Sequence, residues 1–552
     1  MKFFTTLFFI CYFYSVKSQT SNWINSLNAG DNDQINSTVI DLNGNTYVGG
    51  SFKSSALDLG TITLTNSLNG YPDFFIAKYN SNGTLLWAKQ FGTGGYEELR
   101  SMCLTKENEI VFTGYYRSDL FKIGLTSMTP SGTIDNLFIS KLDSAGNVIW
   151  AKSYGGGGYD YGRSVTSDND NNIFLTGSFD SNSINFGPTS LSKIGQADIF
   201  IIKLNSNGNV LWAKNYGETG SEYPYEIKAN PDGKLLLVGY YFGAQTKFDN
   251  IILNQPSGGF NSDGFIANID SSGNTLWANS FGGKSWDYAT SSAIDNQNNC
   301  TIIGSFTSDT IHFNNDTILK IGTTDAFILH FNGEGTLKWH KEFGYQNNKV
   351  LPGSVLTDKY QNLIFALNFS SNTINFNGNI VNNSGNSGTM DFIIVKTDKN
   401  CNEFWVQKSI GNKEDNISKI SNNENGDLSI VGSFSSDYIT IGNKTLYNNA
   451  TLLNTIDSYV LQLKDEDFTS IFKHSNYQNI ILYPNPSDNY FKCITNIEDS
   501  KIRIIDILGN EILSKNFNNQ VIINTEFLSK GNYFVSINTP NGSYSKIITI
   551  IE

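Results

Sequence analysis

Carboxylates recur at one position of the sequence, ten residues after each of a series of evenly spaced tryptophans. The residues at this position are Asp33, Glu97, Asp160, Glu222, Asp287, Lys349 and Asp415. Six carboxylates on one face of a symmetric protein would attract a cation, and oxygen ligands suit Ca²⁺. The same groups could instead accept hydrogen bonds from turn N–H groups and only hold their own loops. The sequence leaves both interpretations open, and it predicts no cofactor other than Ca²⁺ at the six acidic positions.

Aromatic residues flank four of these acids in consecutive stretches of the chain. The predicted ligand-binding residues are Tyr96, Glu97, Tyr159, Asp160, Tyr161, Glu222, Tyr223, Trp286, Asp287 and Tyr288. Flat rings stack on the C–H faces of sugars while carboxylates bind the hydroxyls, so this combination favours a glycan. Trp286 is the strongest single candidate because it is the one tryptophan outside the regular spacing. The alternative is that these loop aromatics pack over neighbouring structural units.

The regular tryptophans indicate an internal repeat, which decides the fold class. They stand at positions 23, 87, 150, 212, 277, 339 and 405, with spacings of 62 to 66 residues. An aromatic residue that ends a Gly-Ser-Phe-like phrase keeps the same step, and so does an aspartate that opens a phrase such as "DIFIIKL". Three markers in seven-fold phase predict seven copies of one structural unit.

Each unit reads as β-strands. In the third copy, "RSVTSD", "IFLTGSF", "DIFIIKL" and "NVLWAKNYG" read as four main strands, with a small extra hairpin between the second and the third. The "SNG" phrase that ends at Gly208 predicts a hairpin turn in which glycine takes a positive φ. We therefore predict an all-β fold, a seven-bladed β-propeller. The strand that contains Trp23 precedes the first complete unit and would close the last blade, whereas an open solenoid would need capping units.

The repeated phrases resemble the bacterial seven-bladed β-propeller repeat family. The best matching stretches are Asp168 to Phe179 and Asp198 to Gly217, and the resemblance covers residues 20–467. Unit six departs from the pattern, with Leu367 and Asn368 where the other units keep glycine followed by serine or tyrosine. The resemblance implies a fold and an extracellular location, and it implies no reaction.

The C-terminal segment has a different rhythm and predicts a small β-sandwich over residues 480–552. It resembles the C-terminal sorting domain of the Bacteroidetes type IX secretion system through three phrases, "YPNP", "IDILGNEI" and "LSKGNYFVSI". The matching residues are Tyr483, Pro484, Asn485, Pro486, Gly509, Gly531, Tyr533 and Lys546. The resemblance implies the type IX secretion machinery as a partner, followed by cleavage of the tail or anchoring at the cell surface.

The N-terminus predicts export as well. Residues 1–18 place one positive charge before a short apolar run, as in a secretory signal peptide. The predicted organisation is therefore a signal peptide at 1–18, a propeller at 19–467, a linker at 468–479 and the sorting domain at 480–552. We expect a secreted or surface-attached monomer with no transmembrane segment in the mature chain.

Composition narrows the function. A formal net charge of −13 without a basic block argues against nucleic acid. Five separated cysteines and four scattered histidines give no disulfide framework, zinc site or catalytic triad. The favoured function is a non-enzymatic surface protein that binds an extracellular glycan or protein ligand. The alternatives are a polysaccharide-active enzyme that uses paired carboxylates such as Glu97 and Asp160, and a structural scaffold of a surface complex.

Overall fold

A computed structural model describes residues 21–29, 33–68, 70–132, 134–256, 261–313, 316–376, 379–385, 388–448, 456–465, 481–483, 489–494, 498–506, 511–539 and 542–550. The chain divides into two compact units, one up to Asp465 and one from Glu466 onward. The predicted signal peptide and linker lie outside the described residues. Within those residues every regular element is a β-strand, and no helix is long and apolar enough to span a membrane.

Seven antiparallel meanders of four strands, called blades 1 to 7 below, make up the described part of the first unit. The first strands are Gln34–Ile40, Glu97–Leu104, Asp160–Ser167, Ser221–Ala229, Asp287–Ile294, Val350–Thr357 and Asp415–Asn422. The second strands are Thr46–Phe52, Ile110–Tyr116, Ile173–Phe179, Leu235–Phe242, Cys300–Phe306, Leu363–Phe369 and Asp427–Phe434. The third strands are Asp73–Tyr79, Asn136–Leu142, Asp198–Leu204, Asp263–Ile269, Asp325–Phe331, Asp391–Thr397 and Asp457–Lys464. The fourth strands are Leu85–Phe91, Val148–Tyr154, Val210–Tyr216, Thr275–Phe281, Leu337–Phe343, Glu403–Gly411 and, for blade 7, Ser21–Ala29.

A short hairpin follows the second strand of each blade. The hairpins are Ala56–Asp58 with Thr63–Thr65, Phe121–Ile123 with Thr126–Met128, Ser183–Phe186 with Thr189–Ser192, Gln245–Phe248 with Ile251–Asn254, Thr310–Phe313 with Asp316–Leu319, Thr373–Phe376 with Asn379–Asn382, and Tyr438–Ile441 with Lys444–Tyr447. The hairpin of blade 7 pairs with the fourth strand of blade 6, and that of blade 1 pairs with the fourth strand of blade 7.

The blades follow one another around a closed circuit, as in a β-propeller. The first strand of each blade contacts the first strand of the next, and that of blade 7 contacts that of blade 1. The N-terminal strand Ser21–Ala29 pairs antiparallel with Asp457–Lys464, with Leu27 opposite Ser458 and Trp23 opposite Gln462. One blade is therefore built from both ends of the first unit. Closure pairs the edge of Asp457–Lys464 with Ser21–Ala29, so that edge is not left open to another chain.

The hydrophobic core lies between the blades. Third strands such as Asp198–Leu204 are buried along almost their whole length, as their continuous apolar runs predict. One cluster joins Phe74 of blade 1 to Phe112 and Phe138 of blade 2. Another joins Trp23 and Val460 of blade 7 to the core of blade 1. Each sheet thus buries its two faces against its two neighbours.

The tryptophans of five fourth strands fit against a glycine-containing hairpin turn of the following blade. Gly83 of blade 1 has φ +81°, and a Cβ added there would lie 2.7 Å from the Trp23 ring of blade 7. Glycine therefore meets two requirements, a left-handed backbone and close approach of the indole. The same contact joins Trp87 to Gly146, Trp150 to Gly208, Trp212 to Gly273 and Trp277 to Gly335. The positive φ predicted for Gly208 is confirmed at +77°.

The second unit contains two antiparallel sheets. One joins Ile481–Tyr483, Tyr490–Ile494 and Gln520–Asn524, and the other joins Glu511–Phe517, Ser500–Ile505, Gly531–Thr539 and Gly542–Ile550. Residues from both sheets, including Phe491 and Ile523 of the first and Ile502 and Val535 of the second, share one hydrophobic cluster. Alternation of buried and exposed residues along these strands places one face of each sheet inward.

The Trp23 contact yields a test of closure. We expect Trp23→Ala to lower the free energy of unfolding by about 3–5 kcal/mol, because it removes a 7 % exposed indole from the joint between blades 7 and 1. Urea denaturation followed by fluorescence measures the change. Trp286→Ala is the matched control, since Trp286 is 49 % exposed, and it should cost less than about 0.5 kcal/mol. Equal losses in the two variants would contradict the role of Trp23.

Candidate functional site

The recurring acids lie in the joints between blades. The backbone N–H of Glu97, which opens the first strand of blade 2, donates to the carbonyl of Pro72 beside the third strand of blade 1. Glu222, Asp287 and Asp415 make the equivalent bond to the preceding blade. Their side chains are fully buried, as are those of Glu97 and Asp160, and that of Asp33 is 4 % exposed. The structure thus places the six carboxylates in the joints, and Asp33 also lines a cavity of about 430 Å³ between blades 7 and 1.

Several of these carboxylates accept hydrogen bonds from nearby loops. Asp287 accepts bonds from the N–H of Gly283 at 2.7 Å and from the hydroxyl of Ser308 at 2.6 Å. Asp33 accepts bonds from the N–H of Lys53 at 2.8 Å and the hydroxyl of Ser54 at 2.6 Å. These are the contacts expected of acids that hold their own loops.

A second buried acid accompanies the first in four of the described joints. It is the aspartate that opens the third strand of the preceding blade, and the pairs are Asp73 with Glu97, Asp198 with Glu222, Asp263 with Asp287, and Asp391 with Asp415. Burial raises the pKa of Glu97 to about 8, and the Asp73 carboxylate adds to the rise. The pKa values of Glu222, Asp263 and Asp415 also rise to about 8, with burial again the largest cause. At neutral pH Glu97, Glu222, Asp263 and Asp415 are therefore held largely in the neutral form.

A repeated glycine makes room for the paired acids. Gly217 follows the fourth strand of blade 3, and a Cβ added there would lie 2.6 Å from Glu222 Oε2 and 3.2 Å from Asp198 Oδ1. Gly92 and Gly282 stand in the same way against Asp73 and Asp263. The glycine that ends each "W-A-K-x-x-G" phrase is thus required by the carboxylates of the joint.

Backbone register corrects two of the repeat assignments. Val350 pairs with Phe369 as Asp287 pairs with Phe306, so Val350, and not Lys349, occupies the acid position in blade 6. The connection from Trp339 of blade 5 to the first strand of blade 6 has one extra residue, which displaces the count. In blade 2, Asn136 pairs with Tyr116 where other blades place aspartate.

The displaced aspartate of blade 2 has a different role. Asp135 precedes the third strand and pairs bidentately with Arg117, at 2.6 Å to Nε and 2.9 Å to Nη2. The joint of Asp160, whose pKa is raised mainly by burial, therefore has Asn136 at the position that is aspartate in other blades.

The described residues contain no group of three or more His, Cys, Asp or Glu side chains that could hold a metal ion. Their carboxylates meet in twos across the joints. The Ca²⁺ prediction for Asp33, Glu97, Asp160, Glu222, Asp287 and Asp415 stays a prediction.

Side chains of the first strands form a ring along the channel, each four residues after the acid position of its blade. A β-bulge precedes this position in six of the blades. The residues of the ring are Ser37, Ser101, Ser164, Glu226, Ser291, Ser354 and Lys419. Each of Ser37, Ser101, Ser164 and Ser291 accepts a hydrogen bond from a backbone N–H of the next blade. A cavity of about 260 Å³ lies among these strands.

An ion pair crosses the channel at this ring. Glu226 of blade 4 bonds to Lys419 of blade 7 and also accepts the N–H of Ser292 at 2.6 Å. Burial alone would raise the pKa of Glu226, but the ammonium groups of Lys419 and Lys228 outweigh it and hold the value at about 2. The pair therefore spans the channel between blades 4 and 7 and lines the cavity there.

Aromatic side chains cover that side of the channel over blades 2 to 5, a surface that we call the mouth. The predicted residues Tyr96, Tyr159 and Tyr161 form one group, in which Tyr161 lies 6.2 Å from Tyr159, centroid to centroid. Tyr115 joins them, stacked on Tyr96 at 6.0 Å and edge-on to Tyr161 at 4.8 Å.

The second group of the mouth belongs to blades 4 and 5. Tyr223 stacks on Tyr240 at 5.3 Å, and Trp286 packs edge-on against Phe242 at 5.7 Å. Tyr225 lies 5.9 Å from Tyr288 and is 41 % exposed. Trp286 is 49 % exposed, so one face of its indole is open to a ligand. The structure thus brings together the predicted aromatic residues of each group and separates them from the buried acids.

Sequence reasoning missed several residues of the mouth, namely Arg100, Tyr115, Arg163, Tyr225, Tyr240 and Phe242. A signal was present for two of them. Tyr115 and Tyr240 precede the phased aromatic residue, where the other units carry serine or, in unit six, asparagine. Large residues that replace small ones at a repeated position mark a departure from what the blade alone requires.

At the opposite end of the channel, the residues of the turns follow the repeat. A cavity of about 450 Å³ lies there among the turns between first and second strands. Asp168 holds its turn by accepting the N–H groups of Asp170 and Asn172, and Asp41 and Asp295 do the same in theirs. This end is therefore occupied by turn-locking residues, and the departures from the repeat concentrate at the mouth.

Comparison with known families addresses the second unit. Residues 481–551 match the secretion system C-terminal sorting domain. The C-terminal segment is a type IX secretion sorting domain. The chain is accordingly secreted or attached at the outer-membrane surface. Of the residues predicted for sorting, Tyr533 donates its hydroxyl to the carbonyl of Ser529 at 2.8 Å. Lys546 pairs with Val535 through the backbone, and Gly531 and Tyr483 lie in strands. Pro484, Asn485, Pro486 and Gly509 lie outside the described residues.

Relatives of the whole chain are distant. An uncharacterized WD repeat-containing protein of Acanthamoeba polyphaga mimivirus is 24 % identical over 470 residues, which span 72 % of this chain and 34 % of that protein. The chain thus covers about a third of the length of this relative. PorZ, a surface component of the type-IX secretion system of Porphyromonas gingivalis, aligns over 95 % of this chain and 82 % of its own, with 11 % identity and a TM-score of 0.20. An ulvan lyase, a polysaccharide lyase, aligns over 92 % of this chain and 94 % of its own, with 10 % identity and a TM-score of 0.32.

The paired acids generate a pH test. The unfolded-state pKa of Glu97 is near 4.5 and the folded-state value is about 8, so the neutral acid favours the folded protein and its stabilisation is lost as pH rises through about 8. We expect the thermal midpoint of the wild type to fall between pH 5 and pH 9. Glu97→Gln should flatten that fall and make the protein more stable than the wild type at pH 9, by on the order of 2 kcal/mol.

Glu334→Gln is the control, because Glu334 is exposed in a turn and its removal also deletes one negative charge. The interpretation fails if Glu97→Gln and the wild type keep parallel midpoints over this pH range. Repeating the scan at pH 8 with Ca²⁺ and with a chelator tests the metal prediction, since a bound cation would raise the midpoint of the wild type and not that of Glu97→Gln.

Proposed function

We propose that this protein is a surface-exposed or secreted glycan-binding protein with a seven-bladed propeller closed by its N-terminal strand. In this proposal residues 1–18 are a signal peptide, 19–467 form the propeller, 468–479 are a linker, and 480–552 form a β-sandwich that directs export and is then cleaved or used as an anchor. The propeller acts as a monomer, and the mouth binds the ligand.

The observation that carries the proposal is the open aromatic surface of the mouth. Trp286, Tyr159 and Tyr225 are each more than 40 % exposed although their neighbours are aromatic and could cover them. Exposed indole and phenol rings that stand side by side match the repeating C–H faces of a saccharide chain. Hydroxyl and carboxylate groups at their edges, such as Glu98 at 2.5 Å from the Tyr96 hydroxyl, supply partners for sugar hydroxyls.

Burial of the acids favours binding over catalysis. Glycoside hydrolysis needs two carboxyl groups that reach the scissile bond from opposite sides. Glu97 and Asp160 are fully buried in two different joints, so neither reaches a ligand at the mouth without rearrangement of the blade. The acids therefore support the loops that carry the aromatic residues, and a scaffold role alone gives no reason for the open rings.

Glycan binding makes a direct prediction for Trp286. We expect Trp286→Ala to weaken binding to the polysaccharide that the wild type retains best by about tenfold or more, because an exposed stacking platform is lost. Affinity electrophoresis in gels that contain single polysaccharides identifies the ligand, and calorimetry measures the affinity. Tyr360→Ala is the matched control, since Tyr360 is an exposed aromatic residue in a turn at the other end of the channel.

The outcomes separate the candidate functions. Retention by no polysaccharide would contradict glycan binding and leave the scaffold. Shortened chains in the reaction mixture would contradict the non-enzymatic interpretation. Equal weakening in Trp286→Ala and Tyr360→Ala would contradict the mouth as the site.

The sorting domain makes a prediction for localisation. In a bacterium with a type IX system, a chain that ends at Asp465 should accumulate inside the outer membrane, whereas the full chain reaches the surface or the medium. Fractionation and protease accessibility of intact cells measure the difference. A reporter with a signal peptide and residues 466–552 at its C-terminus should follow the full chain, and export of the shortened chain would contradict the assignment.

A further inference from the structure

The arginines of this acidic chain are concentrated at the mouth. The sequence contains four arginines, and Arg100, Arg117 and Arg163 belong to blades 2 and 3. Guanidinium groups are planar, remain charged and bind carboxylate or sulfate with two parallel hydrogen bonds. Three of the four arginines thus lie at one end of two adjacent blades, on a protein whose net charge is −13.

Two of these arginines have carboxylate partners. Arg117 pairs with Asp135 at 2.6 Å. Arg100 pairs with Glu98 at 2.7 Å and donates to the Tyr115 hydroxyl at 3.1 Å. Their charges are thus largely compensated within the protein.

Arg163 differs. No carboxylate lies within ion-pair distance of Arg163 among the residues described, and its guanidinium lies 4.9 Å from the centroid of the Tyr161 ring. Its other neighbours are the Tyr115 and Tyr240 rings and the second cation, Arg100. Burial and the charge of Arg100 lower the pKa of Arg163, which shows that the site stabilises a cation poorly. An anion placed beside Arg163 would offset both effects.

The position of Arg163 is central to the mouth. It interacts with tyrosines of blade 2 through Tyr115 and of blade 4 through Tyr225 and Tyr240, and thus lies between the two aromatic groups. The equivalent residue in other blades is neutral: Asn36, Tyr225, Thr290 and Ser418 stand three positions after the phased acid. The cation is therefore a feature of blades 2 and 3 that the repeat does not require.

We propose that the mouth binds a sugar unit that carries an anionic group, a carboxylate or a sulfate, with Arg163 as the anchor of that group and the tyrosines beside it as stacking platforms. This inference rests on the proposed glycan-binding function and narrows its substrate class from glycans in general to acidic glycans. Arg100 contributes less, because Glu98 compensates its charge. A nucleic acid fits less well, because the chain has a net charge of −13 and the described mouth offers scattered cations such as Arg163 and Lys53, not a row that could neutralise successive phosphates.

The test compares polysaccharides that share a backbone and differ in charge. Polygalacturonate is compared with its fully methyl-esterified form, and dextran sulfate with dextran, so that the two arms distinguish carboxylate from sulfate. We expect the wild-type full chain to bind at least one anionic form at least about tenfold more tightly than its neutral partner, since a charge-assisted contact is worth that factor. Arg163→Gln should remove most of this preference, and Arg163→Lys should restore only part of it because lysine lacks the planar fork.

The controls keep the test decisive. Lys338→Gln removes one positive charge from an exposed position on the fourth strand of blade 5 and should leave the preference unchanged. Thermal midpoints of all variants confirm that they fold. Equal binding of charged and neutral forms by the wild type would overturn the anionic-sugar inference and leave glycan binding intact. Retention of neither form of either polymer by a wild type that binds another polysaccharide would also overturn the anionic-sugar inference alone, whereas retention by no polysaccharide, or stronger binding to a single-stranded oligonucleotide, would overturn it together with the proposed function.

Discussion

An indole that fits against a glycine turn of the next blade is the contact on which the rest of the structure depends. A flat sheet of four strands cannot bury both faces alone, so each blade is stable only when its neighbours lie at a fixed distance and angle. Trp150 against Gly208 and Trp212 against Gly273 set that spacing, and the indole N–H of each donates to a carbonyl of the same neighbouring turn region. The contact recurs between successive blades and also joins Trp23 of blade 7 to Gly83 of blade 1. The circuit of blades therefore closes on the N-terminal strand.

Closure by the N-terminal strand makes the joint between blades 7 and 1 depend on residues that are far apart in the sequence. A blade that joins Ser21–Ala29 to Asp457–Lys464 contains contacts such as Asn22 with Gln462, 440 residues apart in the sequence, and contacts of such separation carry a high loop-closure cost. Asn25 donates to the carbonyl of Gly83, and Ser458 donates to that of Asp33, which binds blade 7 to blade 1 at both ends of the seam. Loss of this seam would expose two sheet edges together with the hydrophobic cluster around Val460.

Repetition made most of the fold predictable, and departures from repetition account for most of what was missed. The periodic tryptophans, the buried run "DIFIIKL" and the turn at Gly208 follow directly from strand and turn chemistry, and the family match confirms the sorting domain that the "YPNP" and "LSKGNYFVSI" phrases predict. Counting from Trp339 failed in blade 6 because one inserted residue shifts the position from Lys349 to Val350, a change that only backbone register reveals.

The position of a side chain relative to a β-bulge was beyond sequence reasoning. A bulge follows the acid in the first strand of blade 3, between Gly162 and Ser164, and leaves Arg163 unpaired in the ladder. Strict alternation along the strand would predict on which face of the sheet Arg163 lies, but the bulge interrupts the alternation at that residue. Arg163, the proposed anchor, thus lies at the irregular point of an otherwise regular strand.

The joints between blades contain buried carboxyl groups, whereas the mouth contains arginines. Carboxyl groups such as Glu97 and Asp263 are buried in pairs, where the low dielectric favours their neutral form, so they add little negative potential at the surface near neutral pH. The loops that they hold carry tyrosines and arginines, and the ion pair of Glu226 with Lys419 crosses the channel. An anion bound at the mouth, as proposed, would lie beside the Arg163 guanidinium and the Tyr161 ring. A protein of strongly negative net charge can present an anion-binding surface only if its nearby carboxylates are neutralised, and in blades 2 and 3 both means are used: Glu98 and Asp135 are paired with arginines, and Glu97 is buried with a raised pKa.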